Sequence, residues 1–409
     1  GGRGGRGGRG GRGGRGGFGG RGEPVFELSP GEESLDKLLG SVPENTYILY
    51  VLNRGSNSDV YNRLKYLSDL KYGVINSCVV WNKFKKNSTQ YNVNVVMKMN
   101  LKMEGINHSL SKIDASQLID EATGLPFMIL GADVTHYPEE NQNSIAALVA
   151  SFDDKFAQFP GDYLLQSEPG EEMIAGIGSL LRDRLVLYQK HNNGKLPPKI
   201  LFYRDGVSES QFSQLLNIEV KNLKEAVKKI GTTLNKGAVY NPPMTVLAVV
   251  KRNHIRFMPL QQNAINEKGE VAAVQTMGNV MAGTVVDRGV TSSAHFDFFL
   301  QSQQALEGTG VPCHYWCIYD ENQYTSDFLQ QVTHSLCYIF GRSSTSIKVA
   351  SPVYYADLLC ERGAQFFKAN FALANFEFSK TRKNRNDVIP GSQLLPAINT
   401  KVKDIMYYI

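Results

Sequence analysis

At 409 residues, 42% of them hydrophobic, the chain is long enough for two or three domains with buried cores, and no apolar run approaches the length of a membrane span, which excludes a helical membrane protein. Its formal charge of +5 is unevenly placed: residues 1–22 hold six arginines and no acid, and without them 38 basic residues stand against 39 acidic ones. Outside that tail, a grip on a polyanion has to come from a local cluster rather than from a general positive field.

Residues 1–22 contain fifteen glycines, six arginines and Phe18 in a GGR repeat. Such a segment buries too little apolar surface to offset the ordering of its backbone, so residues 1–23 are expected to be a disordered tail. Arginines in this setting contact phosphates and stack on bases, giving a weak, salt-sensitive RNA contact. A solubilising or protein-docking tail fits equally well, and arginine methylation would tune either role. No signal peptide precedes the first domain, and the chain begins without Met, as an excerpt would.

From about residue 30 strands and helices alternate. "TYILYVLN" (46–53) predicts a buried strand, followed by the turn-rich "RGSNSD". Next, Val60, Leu64, Leu67 and Leu70 share one helical face, with Gly73 as the stop. A second block opens near residue 124, where "LPFMILGADV" and "SIAALVASFD" read as paired strands. A helix of about 20 residues is expected from Glu171 to near Gly194. "KILFYRDG" is a further strand, leading to a helix whose capping box is Ser208 and Gln211. "MTVLAVVKR" and "PCHYWCIYD" add strands, and "SPVYYADLLCERG" (351–363) opens the last helix, with Ser351 as N-cap, Pro352 in the first turn and Tyr354, Tyr355, Leu358 and Leu359 facing a core. Helices between hydrophobic strands predict α/β layers around a mixed sheet. The five cysteines (78, 313, 317, 337, 360) are scattered without a paired Cys-x-x-Cys, which fits an intracellular reducing compartment, cytoplasmic or nuclear with the cytoplasm favoured, and argues against a zinc site.

Two acids end apolar strands: Asp133 in "MILGADVTH" and Asp205 in "ILFYRDG". Acids held at a sheet edge are either turn-formers or parts of a site. Clustered carboxylates repel one another unless a cation lies between them, and hard oxygen donors suit Mg²⁺ or Mn²⁺. Lys98 and Lys102 are four apart, as are Tyr61 and Lys65. On a helix that spacing lets both side chains reach one phosphate; on a strand it separates them by about 13 Å. The local pattern around Lys98 leaves helix and strand open.

"FMILGADVTHYP", "ILFYRDGVSESQF", "VVKRNHIRF", "GNVMAGTVVD", "HFDFFLQSQQALEGTGVPCHYWCIYDEN" and "SPVYYADLLCERG" stand in the order of a eukaryotic Argonaute PIWI domain, which residues 123–409 resemble; residues 24–122 resemble the later part of the Argonaute MID domain. The resemblance implies an RNase H-like PIWI domain docked to a partial Rossmann-like MID domain, and small-RNA-guided silencing. By the same resemblance Asp133 and Asp205 match the family's metal-binding aspartates, Glu172 (with Glu171 as the near alternative) its glutamate, and Asp357 its last ligand. Most animal and plant members carry histidine at that last position. The implied cofactor is Mg²⁺ or Mn²⁺, as two ions in the catalytic state. Tyr61 would stack on the first base of a guide RNA, Lys65, Lys98, Lys102 and Arg362 would bind its 5′ phosphate, and Arg342 its backbone. Ser77 stands where the family commonly has glutamine, a shorter and weaker donor. No room remains for N-terminal and PAZ domains. The implied partners are a 5′-phosphorylated guide RNA and a complementary target RNA, with protein partners through the tail and no membrane. Guide-directed cleavage of RNA is the expectation; guide binding without cleavage, and a tail that is the main RNA or protein contact, are its rivals.

Overall fold

The computed structural model describes residues 32–53, 59–136, 143–259, 279–305, 307–381 and 395–409. The Gly–Arg tail lies outside the described residues. Two units are distinguished: Gly1–Ser41, whose described residues include the helix Glu32–Gly40, and Val42–Ile409.

The second unit opens on two parallel strands, β1 (Tyr47–Leu52) and β2 (Ile75–Val80). The chain between them is helical over Asp59–Lys65 and widens into i→i+5 turns over Tyr66–Tyr72. Gly73 stops it with φ +66°, a conformation that only glycine adopts cheaply. Leu64, Leu67 and Leu70 are buried, but Val60 is exposed in the first turn. The expected burial of the first strand is also corrected. Tyr50 is buried while Leu49 and Val51 are exposed, although their register partners on β2, Ser77 and Val79, are buried, so the exposure belongs to β1 and not to a whole face of the pair. The region around Lys98 forms the helix Thr89–Lys102, which settles the ambiguity left by its sequence pattern.

Eight further strands make one mixed sheet: β3 (Met128–Thr135), β4 (Asn143–Ala150), β5 (Gly161–Pro169), β6 (Ile200–Asp205), β7 (Met244–Val250), β8 (Thr284–Val286), β9 (Asp297–Gln301) and β10 (Cys313–Asp320). Their order is β5-β4-β3-β6-β7-β10-β9-β8; β3, β6 and β7 run parallel and their outer neighbours antiparallel. This is the RNase H-like arrangement. Side chains alternate across it. Met128 and Leu130 of β3, Phe202 of β6 and Val246 of β7 pack on the helices Ile177–His191 and Lys221–Leu234. Ile129, Tyr203, Leu247 and Val249 face the opposite way, toward Val353, Tyr355 and Leu359 of the helix Ser351–Thr381. That helix lies close on β3 because residue 131 is glycine; a Cβ there would run into the Pro352 carbonyl.

Two helix starts differ from expectation. The helix predicted from Glu171 begins at Ile177, because side chains satisfy the preceding backbone as an open loop. Glu219 accepts the Ile174 N–H at 2.7 Å, and Gln166 donates to the carbonyl of Met173 at 2.8 Å. Ser351 is not a cap: its hydroxyl donates to the Leu336 carbonyl at 2.5 Å, and the Val353 N–H turns back to Ala350. Tyr355 and Leu359 of this helix are fully buried, whereas Tyr354 is exposed. The Ser208–Gln211 capping box forms as predicted.

Candidate functional site

Strand alternation and register build the acidic centre. In β3, Asp133 follows Ile129 and Gly131 on the face toward the last helix; in β6, Asp205 follows Leu201 and Tyr203 on that same face. Because Ala132 pairs with Arg204 in parallel register, the next residues, Asp133 and Asp205, stand side by side at the C-terminal ends of neighbouring strands. Such strand ends are where open α/β sheets place their sites. Lys251 follows Leu247 and Val249 just beyond β7, and so joins that face too. Asp357 descends onto it from the first turns of the last helix.

Lys251 Nζ lies 2.6 Å from Asp205 Oδ2, 3.6 Å from Asp357 Oδ1 and 4.0 Å from Asp133 Oδ2. One ammonium therefore occupies the point where three carboxylates converge. Its backbone is held by Lys348 Nζ, which donates to the Lys251 carbonyl. Asp205 Oδ2 is buried and, despite the ionic contact, receives no hydrogen bond of good geometry. Burial, with the nearby charges of Asp205 and Asp357, pushes the Asp133 carboxyl well above its usual range, although Lys251 opposes the shift.

Glu172 reaches the centre from the loop before Ile177. His136 Nε2 meets its Oε2 at 2.7 Å, and Arg204 Nη2 donates to its Oε1 at 3.1 Å. A Cβ at Gly206 (φ +89°) would lie 3.0 Å from Glu172 Oε1 and 3.4 Å from Asp133 Oδ1, so glycine keeps these two carboxylates neighbours. The alternative, Glu171, instead makes its bond locally, accepting from the Glu168 N–H at 3.3 Å. Arg204 and Glu219, both fully buried, pair at 2.9 Å on the opposite sheet face and fix the loop. Of these supports, the sequence reasoning passed over His136, Arg204, Glu219 and Lys251. The signals were present: an arginine inside the apolar run "ILFYRD" needs a buried acid, and a lysine ending "TVLAVVK" lies on the same register as the aspartates. Among the described residues no three Asp, Glu, His or Cys side chains stand close enough together to share one ion, and Lys251 lies between Asp133, Asp205 and Asp357.

The second site is a cavity of about 220 Å³ whose walls include Tyr61, Lys65, Ser77, Lys98, Arg342 and Arg362. Six of the seven residues singled out for phosphate and RNA contact thus meet on one wall system. Lys65 Nζ donates to Asn76 Oδ1 at 2.5 Å, Asn76 donates to Asp69 Oδ1 at 2.7 Å, and Arg362 Nη1 donates to Asp69 Oδ2 at 2.6 Å. Asp69, 1% exposed, is therefore the buried anion beneath the cations, and sequence reasoning missed it among the leucines of "YLSDLKY". Lys102 is the exception. It does not line the cavity but donates to the Tyr407 carbonyl at 2.5 Å, tying down the chain end that places Tyr408 and Ile409 on the wall. Burial and the charges of Arg342, Lys65 and Arg362 lower the Lys98 ammonium to about 7. Burial lowers Lys102 as well, aided by Lys65 and Arg362. Glu361 also lines the cavity; burial and the charge of Asp357 raise its carboxyl.

These two sites share the helix Ser351–Thr381, which carries Asp357 to the acidic centre and Arg362 to the cavity. A family profile described as Piwi domain matches residues 47–368. Protein argonaute PNH1 of Oryza sativa subsp. japonica is 35% identical over 92% of this chain, and protein argonaute 10 of Arabidopsis thaliana 33% over 92%. The chain spans 38% and 37% of the lengths of those two proteins, well under half. Among solved structures, the C-terminal lobe of a budding yeast Argonaute is 63% identical with TM-score 0.86, covering 94% of this chain and 73% of that one. Kluyveromyces polysporus Argonaute with a guide RNA is also 63% identical, with TM-score 0.87, covering 94% of this chain and 44% of that one. With the profile spanning most of the chain and the fold shared at this level of identity, the chain belongs to the Argonaute/Piwi family.

Proposed function

We propose that this chain holds a small guide RNA by its 5′ phosphate and directs cleavage of a complementary RNA at the acidic centre, acting in RNA-guided silencing. The observation that carries this is the pairing of a cationic cavity with a carboxylate cluster through one helix, so that Arg362 and Asp357 keep a fixed separation. A nuclease guided by base pairing requires such a fixed distance, because specificity lies in the duplex and the protein grips backbone and A-form shape. Tyr61 offers its ring to the first base; Lys65, Lys98, Arg342 and Arg362 surround the phosphate, and Lys102 secures the wall behind them.

The donor set suits a hard divalent ion. Asp205 Oδ2 is a buried oxygen whose neighbour is a cation, Lys251 Nζ at 2.6 Å, so positive charge already stands among the carboxylates. Asp133, Glu172, Asp205 and Asp357 would hold Mg²⁺ or Mn²⁺; aspartate in the last position adds a negative charge and a shorter reach than histidine. Bound there, such ions activate a water and stabilise a leaving oxygen in phosphodiester hydrolysis. The chain's own residues orient: Arg204 and His136 hold Glu172 toward Asp133, and Gly206 leaves them room. The second reading, guide binding without cleavage, is favoured by the place Lys251 takes among the acids.

The test loads the protein with a 5′-phosphorylated guide, adds complementary RNA and Mg²⁺, and maps products. One cut at a fixed distance from the guide's 5′ end is expected, abolished by Asp205→Ala. Lys98→Ala should instead weaken binding of the phosphorylated guide about tenfold or more, the loss of a charge-assisted hydrogen bond. No product from wild type would leave the non-cleaving reading, and equal product from Asp205→Ala would overturn cleavage at the acidic centre.

A further inference from the structure

Ser77, 3% exposed, stands in the cavity wall. Its hydroxyl is not isolated. Tyr47 Oη donates to Ser77 Oγ at 2.5 Å across the parallel pair of strands, in which Leu49 is the register partner of Ser77. Tyr47 lies two residues before Leu49 on β1, hence on the same side of the strand, which is why its ring can reach Ser77. Burial pushes the Tyr47 phenol up to about 12, although its bond with Ser77 opposes the shift, so the group remains a donor at neutral pH.

A serine hydroxyl has one proton and two acceptor lone pairs. Tyr47 occupies a lone pair and leaves the proton; among the described residues no acceptor takes it. The space that Ser77 lines is walled by Lys65, Lys98, Arg342 and Arg362, where an anion is the natural acceptor. A hydroxyl whose oxygen already accepts a hydrogen bond is polarised into a better donor. The two hydroxyls thus make a short relay at the cavity wall.

We propose that Tyr47 is a positioning residue for anion recognition: it orients and polarises Ser77 so that this hydroxyl donates to a phosphate oxygen in the cavity, compensating for the missing glutamine. The proposal rests on the cavity being the 5′-phosphate pocket. It concerns specificity for phosphate rather than affinity for RNA in general.

The experiment measures Kd for two RNAs of one sequence, one with a 5′ phosphate and one with a 5′ hydroxyl, and takes their ratio as phosphate discrimination. Wild type is compared with Tyr47→Phe, Ser77→Ala, the double variant, Ser77→Gln, and Tyr47→Phe in the Ser77→Gln background. Tyr47→Phe should lower the ratio about three- to tenfold, as expected for a hydrogen bond acting on a charged group. The double variant should match Ser77→Ala alone, and Tyr47→Phe should change nothing once residue 77 is glutamine, whose amide donates without a relay. The proposal is overturned if Tyr47→Phe weakens both RNAs equally, leaves the ratio unchanged, or adds in full to Ser77→Ala. A wild type that ignores the 5′ phosphate overturns the pocket assignment along with it; a wild type that discriminates, with an unaffected Tyr47→Phe, overturns the relay alone.

Discussion

The acidic centre and the cationic cavity are opposite solutions to one electrostatic problem. Each gathers like charges in partly dry surroundings, and each responds in the direction that sheds charge: Asp133 is pushed up, and Lys98 is pulled down to about 7. They differ in where the opposing charge lies. In the acidic centre it stands in the middle, as the Lys251 ammonium. In the cavity it lies beneath the floor, as Asp69, and in the wall, as Glu361, leaving the middle open. A cationic ligand of the first site has to compete with a resident; an anionic ligand of the second does not. The cavity is therefore the better preorganised of the two.

Disrupting the acidic centre from behind should have the largest effect. Arg204→Met leaves Glu219 buried with no cation and releases Glu172. Stability should fall by about 3–5 kcal/mol, the usual cost of removing one partner of a buried pair. Urea unfolding would read this directly, and an unchanged midpoint would show that the pair is dispensable. Lys251→Met sharpens the contrast more finely. Without a divalent ion, three carboxylates lose their shared counter-ion, and stability should drop by about 2 kcal/mol, less than for a fully buried pair because Lys251 is partly exposed. Adding Mg²⁺ should then raise the melting temperature of this variant more than that of wild type. Equal Mg²⁺ responses would mean that Lys251 does not compete for the site.

How much of this was legible in the sequence follows from the range of the forces involved. The strands β3 and β6 and their terminal aspartates were legible because an apolar run ended by an acid is a local pattern. So was the helix carrying Asp357 and Arg362. The partners Arg204–Glu219 and Lys251–Asp205 were not, since each joins segments separated in sequence and depends on register. The loop before Ile177 was misjudged for a related reason. Its backbone is satisfied by Gln166 and Glu219, side chains with no local signature. Ser351 looked like a cap by residue type, yet tertiary packing gave its hydroxyl to Leu336. The matches for Tyr61, Lys65, Ser77, Lys98, Arg342 and Arg362 came from family resemblance; spacing alone showed only that pairs four apart meet on a helix.

The effect most diagnostic of an open cavity is a dependence on pH. The Lys98 ammonium sits at about 7 in the free protein, so near neutral pH only part of the population carries that charge. A bound phosphate restores the ammonium, and binding therefore takes up a proton wherever free Lys98 is neutral. Its affinity should fall as pH rises from 7 to 9, by up to about tenfold per unit while the bound lysine stays protonated. A phosphate monoester, with its second pKa at about 6, is already a dianion across this window and adds no slope of its own. For folding, the sign is reversed. Lys98 is depressed below its unfolded value, so the unfolded chain binds more protons between the two, and this residue's share of stability grows as pH rises through that range. Lys98→Arg, charged throughout, should flatten the binding profile for a phosphorylated guide while leaving a hydroxyl guide unchanged. A wild-type profile as flat as that of Lys98→Arg would mean that the lysine is already neutralised from within the protein, and that the cavity resembles the acidic centre after all.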